Sequence, residues 1–258
     1  MMSEQRYTFG DTPAVAARLK SIAAMFNPLA DKFLRRFITR PPASAADLGC
    51  GPGYTTDMLS AASMSLKTYG LERSPEFLML AREAFPDYEF LRCDITKSPL
   101  PVRANILYAR SVLSHMPDPV MLANDWAAQL PRAGLVFLHE LEAIETDVPV
   151  FARYLEVNRR LIASQGAELF VGKTLATGNF HFRSLANEPQ PVPVPTRTAA
   201  SWFAPNVRHV WPNEPAVTAI VDADEQQAIL AQLDVLAASA DTRSDITWTM
   251  RWVVLIER

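Results

Sequence analysis

The stretch Asp47-Leu48-Gly49-Cys50-Gly51-Pro52-Gly53 decides the fold of this chain. Ala45-Ala46 precede it and Tyr54-Thr55-Thr56-Asp57-Met58-Leu59 follows, which reads as the end of a buried strand, a glycine turn and the start of a helix. Glycine lacks a Cβ, so it adopts backbone angles closed to other residues and lets a ligand touch the main chain. The N–H groups that open the next helix have no partner within it, and they favour a carboxylate or phosphate in front of them. A dinucleotide fingerprint, G-x-G-x-x-G, needs a third glycine where this chain has Tyr54. A phosphate-cradling G-x-x-x-x-G-K-[ST] loop needs a lysine, and none follows this turn. The pattern that is complete is D-x-G-x-G-x-G.

Downstream of the turn the chain alternates strand and helix, the pattern of a parallel sheet covered on both faces. Apolar strands are expected at Thr68–Leu71, Tyr88–Leu91, Ile106–Ala109 and Leu135–Leu138. Ser74 with Pro75, and Asp118 with Pro119, are helix-start pairs: a capping side chain followed by proline in the first turn. Upstream, residues 1–42 read as a helical lid of two helices. Asp11 or Thr12 caps the first and Val15, Leu19, Ile22 and Met25-Phe26 form its apolar stripe. Pro28 restarts the chain, and Leu29, Phe33, Leu34 and Phe37 mark the second helix, which Arg40-Pro41-Pro42 ends. The core spans residues 43–146. Residues 147–211 form an inserted segment on the substrate side, with a helix at Phe151–Gln165, no clear element from 166 to 196, and an extended run Pro189-Gln190-Pro191-Val192-Pro193-Val194-Pro195. Residues 212–258 complete the sheet with a strand at Val217–Val221, a helix at Asp224–Ala238 and a last strand at Ile246–Ile256.

Bulk properties narrow the function. With 258 residues, 49% of them hydrophobic and 21% charged, the chain has ample core for one large globular domain. A net charge of −3 argues against nucleic acid as a partner. No uncharged apolar run is long enough to span a bilayer, and Met1-Met2-Ser3-Glu4-Gln5-Arg6 does not resemble a secretory signal. Two cysteines, Cys50 and Cys93, are too few for a disulfide framework, so a cytoplasmic location is expected.

In open α/β sheets, ligands bind outside the carboxyl ends of the strands. The glycine turn follows the first strand, and Glu72-Arg73 follows the second, about twenty residues on, where an acidic side chain suits ribose hydroxyls. Cys93-Asp94-Ile95 follows the third: a carboxylate for an exocyclic amine and an aliphatic side chain for a ring. Ala109-Arg110-Ser111 follows the fourth and leads to His115. Glu72 has a simpler reading as a surface carboxylate paired with its neighbours, and the N-terminal helices as mere edge packing.

Taken together, residues 44 to about 145 resemble the class I methyltransferases that use S-adenosylmethionine, in their small-molecule branch. The glycine turn resembles their first motif, and Tyr108-Ala109-Arg110-Ser111-Val112-Leu113-Ser114-His115-Met116-Pro117-Asp118-Pro119 their fourth-strand motif. The resemblance implies an α/β fold with a doubly wound, mostly parallel seven-stranded sheet, a Rossmann-like sandwich. It also implies S-adenosyl-L-methionine as cofactor, with S-adenosyl-L-homocysteine as product. Asp47, Gly49 and Gly51 would meet the methionine end, Glu72 the ribose, and Asp94 with Ile95 the adenine, with Arg73 also counted among the cofactor-binding residues. Arg110 would lie beside the methionine moiety, and Arg18 of the lid would reach a carboxylate.

The expected activity is methyl transfer to an oxygen or nitrogen of a small-molecule acceptor, a natural product among the options, mainly by positioning and with no metal. The sulfonium already carries a good leaving group, so alignment and exclusion of water matter most. A base helps when the nucleophile is a hydroxyl or protonated amine. The candidates are His115 and Glu140, with His139 and Glu142 beside the latter; His115 reads equally as a turn histidine bonded to backbone. A cofactor-binding regulatory protein of the same fold is the alternative. No membrane partner is expected, and the oligomeric state stays open, a homodimer included. Gly172-Lys173-Thr174 is rejected as a phosphate loop because Ala167 stands where the earlier glycine is required. Trp202, Phe203 and Trp211 suit a cation cage less well than a core.

Overall fold

The structure, a computed structural model, describes residues 10–257; Met1–Arg6, the segment compared above with a secretory signal, lies outside them. Its elements in chain order are α1 (Pro13–Leu34), β1 (Ser44–Leu48), α2 (Tyr54–Ser63), β2 (Lys67–Glu72), α3 (Pro75–Ala84), β3 (Glu89–Arg92), β4 (Ile106–Arg110), α4 (Pro119–Ala127) and β5 (Leu135–Thr146). There follow α5 (Pro149–Ser164), α6 (Gly172–Ala176), β6 (Arg183–Val194), α7 (Thr196–His209), α8 (Pro215–Thr218), α9 (Ala223–Ala238) and β7 (Ile246–Ile256). One seven-stranded sheet runs in the order β3-β2-β1-β4-β5-β7-β6. The first five strands are mutually parallel, and β7 is antiparallel to both β5 and β6.

Each face of the sheet carries its own core. Phe26 and Phe33 of α1, Met58 and Leu59 of α2, Phe151 of α5, Trp202 of α7 and Leu233 of α9 close over Tyr108, Phe137 and Trp252. On the other face Trp126 of α4 and Leu175 of α6 cover Leu48, Leu107, Leu138 and Val253. Phe203 and Trp211 belong to the first core, stacked on Tyr154 at centroid distances of 4.0 and 5.6 Å. Among the described residues no helix is long and apolar enough to cross a membrane.

Three expectations need correction. Residues 13–34 form one helix, not two. Pro28 and Ala24, whose carbonyl loses its i→i+4 donor there, both face solvent, so the break lies on the exposed side while Ala23, Phe26, Ala30 and Phe33 pack without interruption. The expected strand at Val217–Val221 is the helical turn α8 and its exit; Pro215 opens the turn, and Val217 and Val221 are buried one helical turn apart. Residues 212–258 therefore bring a single strand to the sheet. The third correction concerns the segment from 166 to 196, which holds α6 and the twelve-residue edge strand β6. Pro189, Pro191 and Pro193 share one parity along β6, so every missing N–H can face outward while Gln190, Val192 and Val194 remain able to donate to β7. An edge without outward donors resists pairing with another chain.

Candidate functional site

The glycine turn is held open at the carboxyl end of β1. Gly49, Gly51 and Gly53 have φ of +69°, +53° and +87°. The N–H groups of Gly49 and Cys50 donate to the Leu71 carbonyl at 2.8 and 3.1 Å, which ties the turn to β2. A Cβ on Gly49 would lie 2.8 Å from Val112 Cγ2 and 3.6 Å from Ile95 Cδ1, whereas one on Gly51 would meet only Leu19 Cδ1, at 3.8 Å. The turn therefore packs on one side and opens toward α1 on the other.

Asp47 is buried behind the turn, and Thr55 and Thr56 of α2 donate their hydroxyls to its Oδ2 at 2.6 and 2.8 Å. Burial raises its carboxyl to about 6, although the two threonine bonds and the charge of Arg110 oppose the shift. Glu72, at the end of β2, accepts N–H groups from Arg73 (2.6 Å) and Ser74 (2.8 Å) on Oε1 and from Gly51 (3.0 Å) on Oε2. It thereby clasps the glycine turn to the start of α3. The Cys93 N–H donates to the Glu72 carbonyl at 2.9 Å, which sets Asp94 and Ile95 beside the clasp. Partial burial pushes the Asp94 carboxyl up, but two bonds from Thr96 and the Lys97 charge outweigh it and hold the group below its ordinary value. The buried Ile95 keeps its place because Trp126 Nε1 donates to its carbonyl at 2.8 Å.

Arg110 Nη1 donates to Asn27 Oδ1 at 2.8 Å, and Asn27 Nδ2 donates to the Tyr54 carbonyl at 2.9 Å. One lid residue thus joins the start of α2 to the end of β4. Asn27, Thr55 and Thr56 went unnoticed in the sequence; the usable signals were a polar residue within an apolar stripe and two hydroxyls directly after a glycine turn. The site residues expected from sequence converge here, with Arg73 contributing its backbone N–H. Arg18, on α1, lies near His115: burial first and the Arg18 charge second lower that imidazole to about 4.

The base candidates are placed differently from expectation. Glu140 has no exposed surface, and its Oε1 accepts N–H groups from Val112 and Leu113 at 2.8 and 2.9 Å. Its carboxylate therefore points into the protein beneath the loop after β4, not at an acceptor. Burial raises it to about 7 against those backbone bonds. His139 is buried against Trp252 at a centroid distance of 4.7 Å and shares a hydrogen bond of 3.2 Å with the Tyr108 hydroxyl. Burial and Arg110 hold it well below the usual imidazole range. Glu142 is paired with Arg251. His181 donates its backbone N–H to Asn124, and His209 ends α7.

Burial of Glu140 makes the stability of the fold depend on pH. A carboxyl whose folded pKa is raised from 4.5 to about 7 penalises the folded state once pH rises above the unfolded value, fully so above the folded one. Glu140→Gln carries no charge, so its stability relative to the parent should improve by up to a few kcal/mol from pH 4 to pH 8. Thermal unfolding of both proteins across that range checks the sign.

In its sheet order, its glycine turn after β1 and its carboxylates after β2 and β3, the chain resembles a class I S-adenosylmethionine-dependent methyltransferase domain. Residues 46–138 match the methyltransferase domain family. Among curated relatives, the chain is 32% identical over 91 residues to trans-aconitate 2-methyltransferase of Afipia carboxidovorans, covering 35% of this chain and 36% of that protein. It is 38% identical over 92 residues to the enzyme of that name from Escherichia coli K12, with the same two shares. The chain spans about a third to a half of the length of the curated relatives it matches. The solved structure of YcgJ from Bacillus subtilis has the same fold, with a TM-score of 0.56 over 90% of this chain and 97% of that one at 17% identity.

Proposed function

We propose that this chain is an S-adenosylmethionine-dependent methyltransferase that methylates a carboxylate oxygen of a small organic acid. The observation that carries the acceptor class is the state of the two base candidates. Glu140 is enclosed with one oxygen already occupied, and His115 is held to about 4, too weak a base to take a proton from a hydroxyl or an ammonium. A carboxylate arrives ionised and needs alignment alone. Arg18 and Arg110 place positive charge around the turn that would attract such an anion. The activity named for the matched relatives, on trans-aconitate, supports the same class.

The chain's own groups fit the cofactor. An ionised carboxylate offers about four lone-pair sites, and Glu72 uses three of them on N–H groups, leaving capacity for a ribose hydroxyl. Gly51 presents open backbone where a side chain would otherwise stand. When bound, S-adenosylmethionine supplies an electrophilic methyl on a sulfonium with a neutral leaving group. Asp47, Glu72 and Asp94 would hold and orient the cofactor, Arg110 would steady its amino-acid end together with Asn27, and α1 would exclude water.

The test has two stages. Calorimetric titration should show S-adenosylhomocysteine binding in the micromolar range while NAD and ATP do not bind. Labelled methyl from S-adenosylmethionine should then pass to di- or tricarboxylic acids, giving esters that release methanol in base. No binding by folded protein overturns the cofactor reading. Transfer confined to phenols or amines overturns the acceptor class, and binding without transfer to any acceptor supports the regulatory alternative.

A further inference from the structure

Glu140 is a carboxylate in a place that chemistry normally denies to one. It stands on the face of β5 opposite His139, the face that carries Val136 and Leu138 into the second core, with no exposed surface. Isolated burial of a charge is costly, and a group kept there is expected to be hydrogen-bonded to something that depends on it. Its partners are consecutive main-chain N–H groups of one loop: Val112 and Leu113 donate to Oε1, and the Ser114 N–H also favours the charged form. Its second oxygen, Oε2, has no hydrogen-bond partner among the described residues.

That loop borders the cofactor turn. It begins with Ser111, a non-glycine residue at φ +54° whose N–H donates to the His139 carbonyl at 3.0 Å. A residue in that conformation persists only where its surroundings impose it. Val112 follows, with Cγ2 at the distance from Gly49 that leaves no room for a Cβ. A 3-10 turn, Leu113–His115, then carries His115 to the neighbourhood of Arg18. The segment thus reaches the glycine turn at one end and the charge of Arg18 at the other, and β5 holds it at two points, the His139 carbonyl and the Glu140 carboxylate.

We propose that Glu140 is a positioning residue: its carboxylate fixes Ser111–His115 so that Val112 closes on the glycine turn and the loop aligns the acceptor with the methyl group. The role in alignment rests on the methyltransferase reading; the hold on the loop does not. Two measurements on the full chain separate them. In Glu140→Ala, hydrogen exchange of the Val112 and Leu113 amides should accelerate at least roughly tenfold, since both N–H groups lose their acceptor. In the same variant kcat should fall by at least roughly tenfold while affinity for S-adenosylhomocysteine changes less than about threefold, the signature of lost alignment. Glu140→Gln, whose amide oxygen can take the place of Oε1, should recover most of both. If the alanine variant does not fold, Glu140→Asp, one methylene too short to reach both N–H groups, should show the same split between kcat and affinity. Unchanged amide exchange overturns the hold on the loop. Faster exchange with unchanged kcat, or equal losses in kcat and cofactor affinity, overturns the positioning role. If the parent fails to bind S-adenosylhomocysteine, the methyltransferase reading falls, and amide exchange still decides whether Glu140 holds the loop.

Discussion

Glu72→Ala is expected to weaken binding of S-adenosylhomocysteine by roughly ten- to a hundredfold, the usual cost of one lost charged hydrogen-bond partner. The carboxylate already accepts three N–H groups, from Gly51, Arg73 and Ser74. It is therefore held in one orientation before any ligand arrives, and little ordering cost would accompany a ribose hydroxyl. Its loss acts twice. A ribose hydroxyl would lose its acceptor, and the Gly51 N–H loses the bond that ties the glycine turn to α3. Glu72→Gln, which keeps an acceptor oxygen but adds two donors to a site filled with donors, should fall between parent and alanine. Calorimetry on the three proteins checks the order. An alanine variant that binds as tightly as the parent would remove Glu72 from the cofactor site.

Gly49→Ala is expected to destabilise the fold by about 2–4 kcal/mol, from two causes of comparable size. The left-handed conformation at φ +69° costs any residue with a Cβ roughly 1–2 kcal/mol. The new methyl would also lie 2.8 Å from Val112 Cγ2, on a β-branched side chain with little rotamer freedom. Denaturant unfolding reads the loss directly. The two causes separate in a double-mutant cycle with Val112→Ala: the second substitution should recover the contact portion and leave the conformational portion in place. Strict additivity of the two substitutions would mean that Val112 does not press on the turn. Because Gly49 stands in the turn expected to meet the methionine end of the cofactor, cofactor affinity should fall along with stability in the single variant.

Much of this site was legible before folding was considered, because its parts are local. Asp47 through Gly53 announce a turn because only glycine tolerates three positive φ values in so short a stretch. Ser74 and Asp118 announce helix starts, and each side chain does cap its helix, accepting from Phe77 N at 3.2 Å and Met121 N at 3.0 Å. The final strand was equally plain from its β-branched and aromatic run. Residues whose importance depends on distant partners gave no such signal. Asn27 matters because Arg110 and Tyr54 meet it from elsewhere in the chain, and Glu140 changes meaning once Val112 and Leu113 are seen above it.

Local chemistry also misled where packing overruled it. Pro28 reads as a break, yet α1 continues because the proline falls on the solvent face and the buried face is intact. Val217–Val221 reads as a strand, yet Pro215 and the i, i+4 burial of two valines make it helical. The alternate prolines of β6 read as an extended run, and β7 supplies the partner that makes it an edge strand. Spacing and residue type along the chain settled the class of sheet, the glycine turn and the strand ends beside it, since these depend on φ, ψ and hydrophobic period. Only the tertiary structure decided which carboxylates lie beside the glycine turn and which are enclosed beneath a loop, because burial and hydrogen-bond partners are set by residues far apart in sequence.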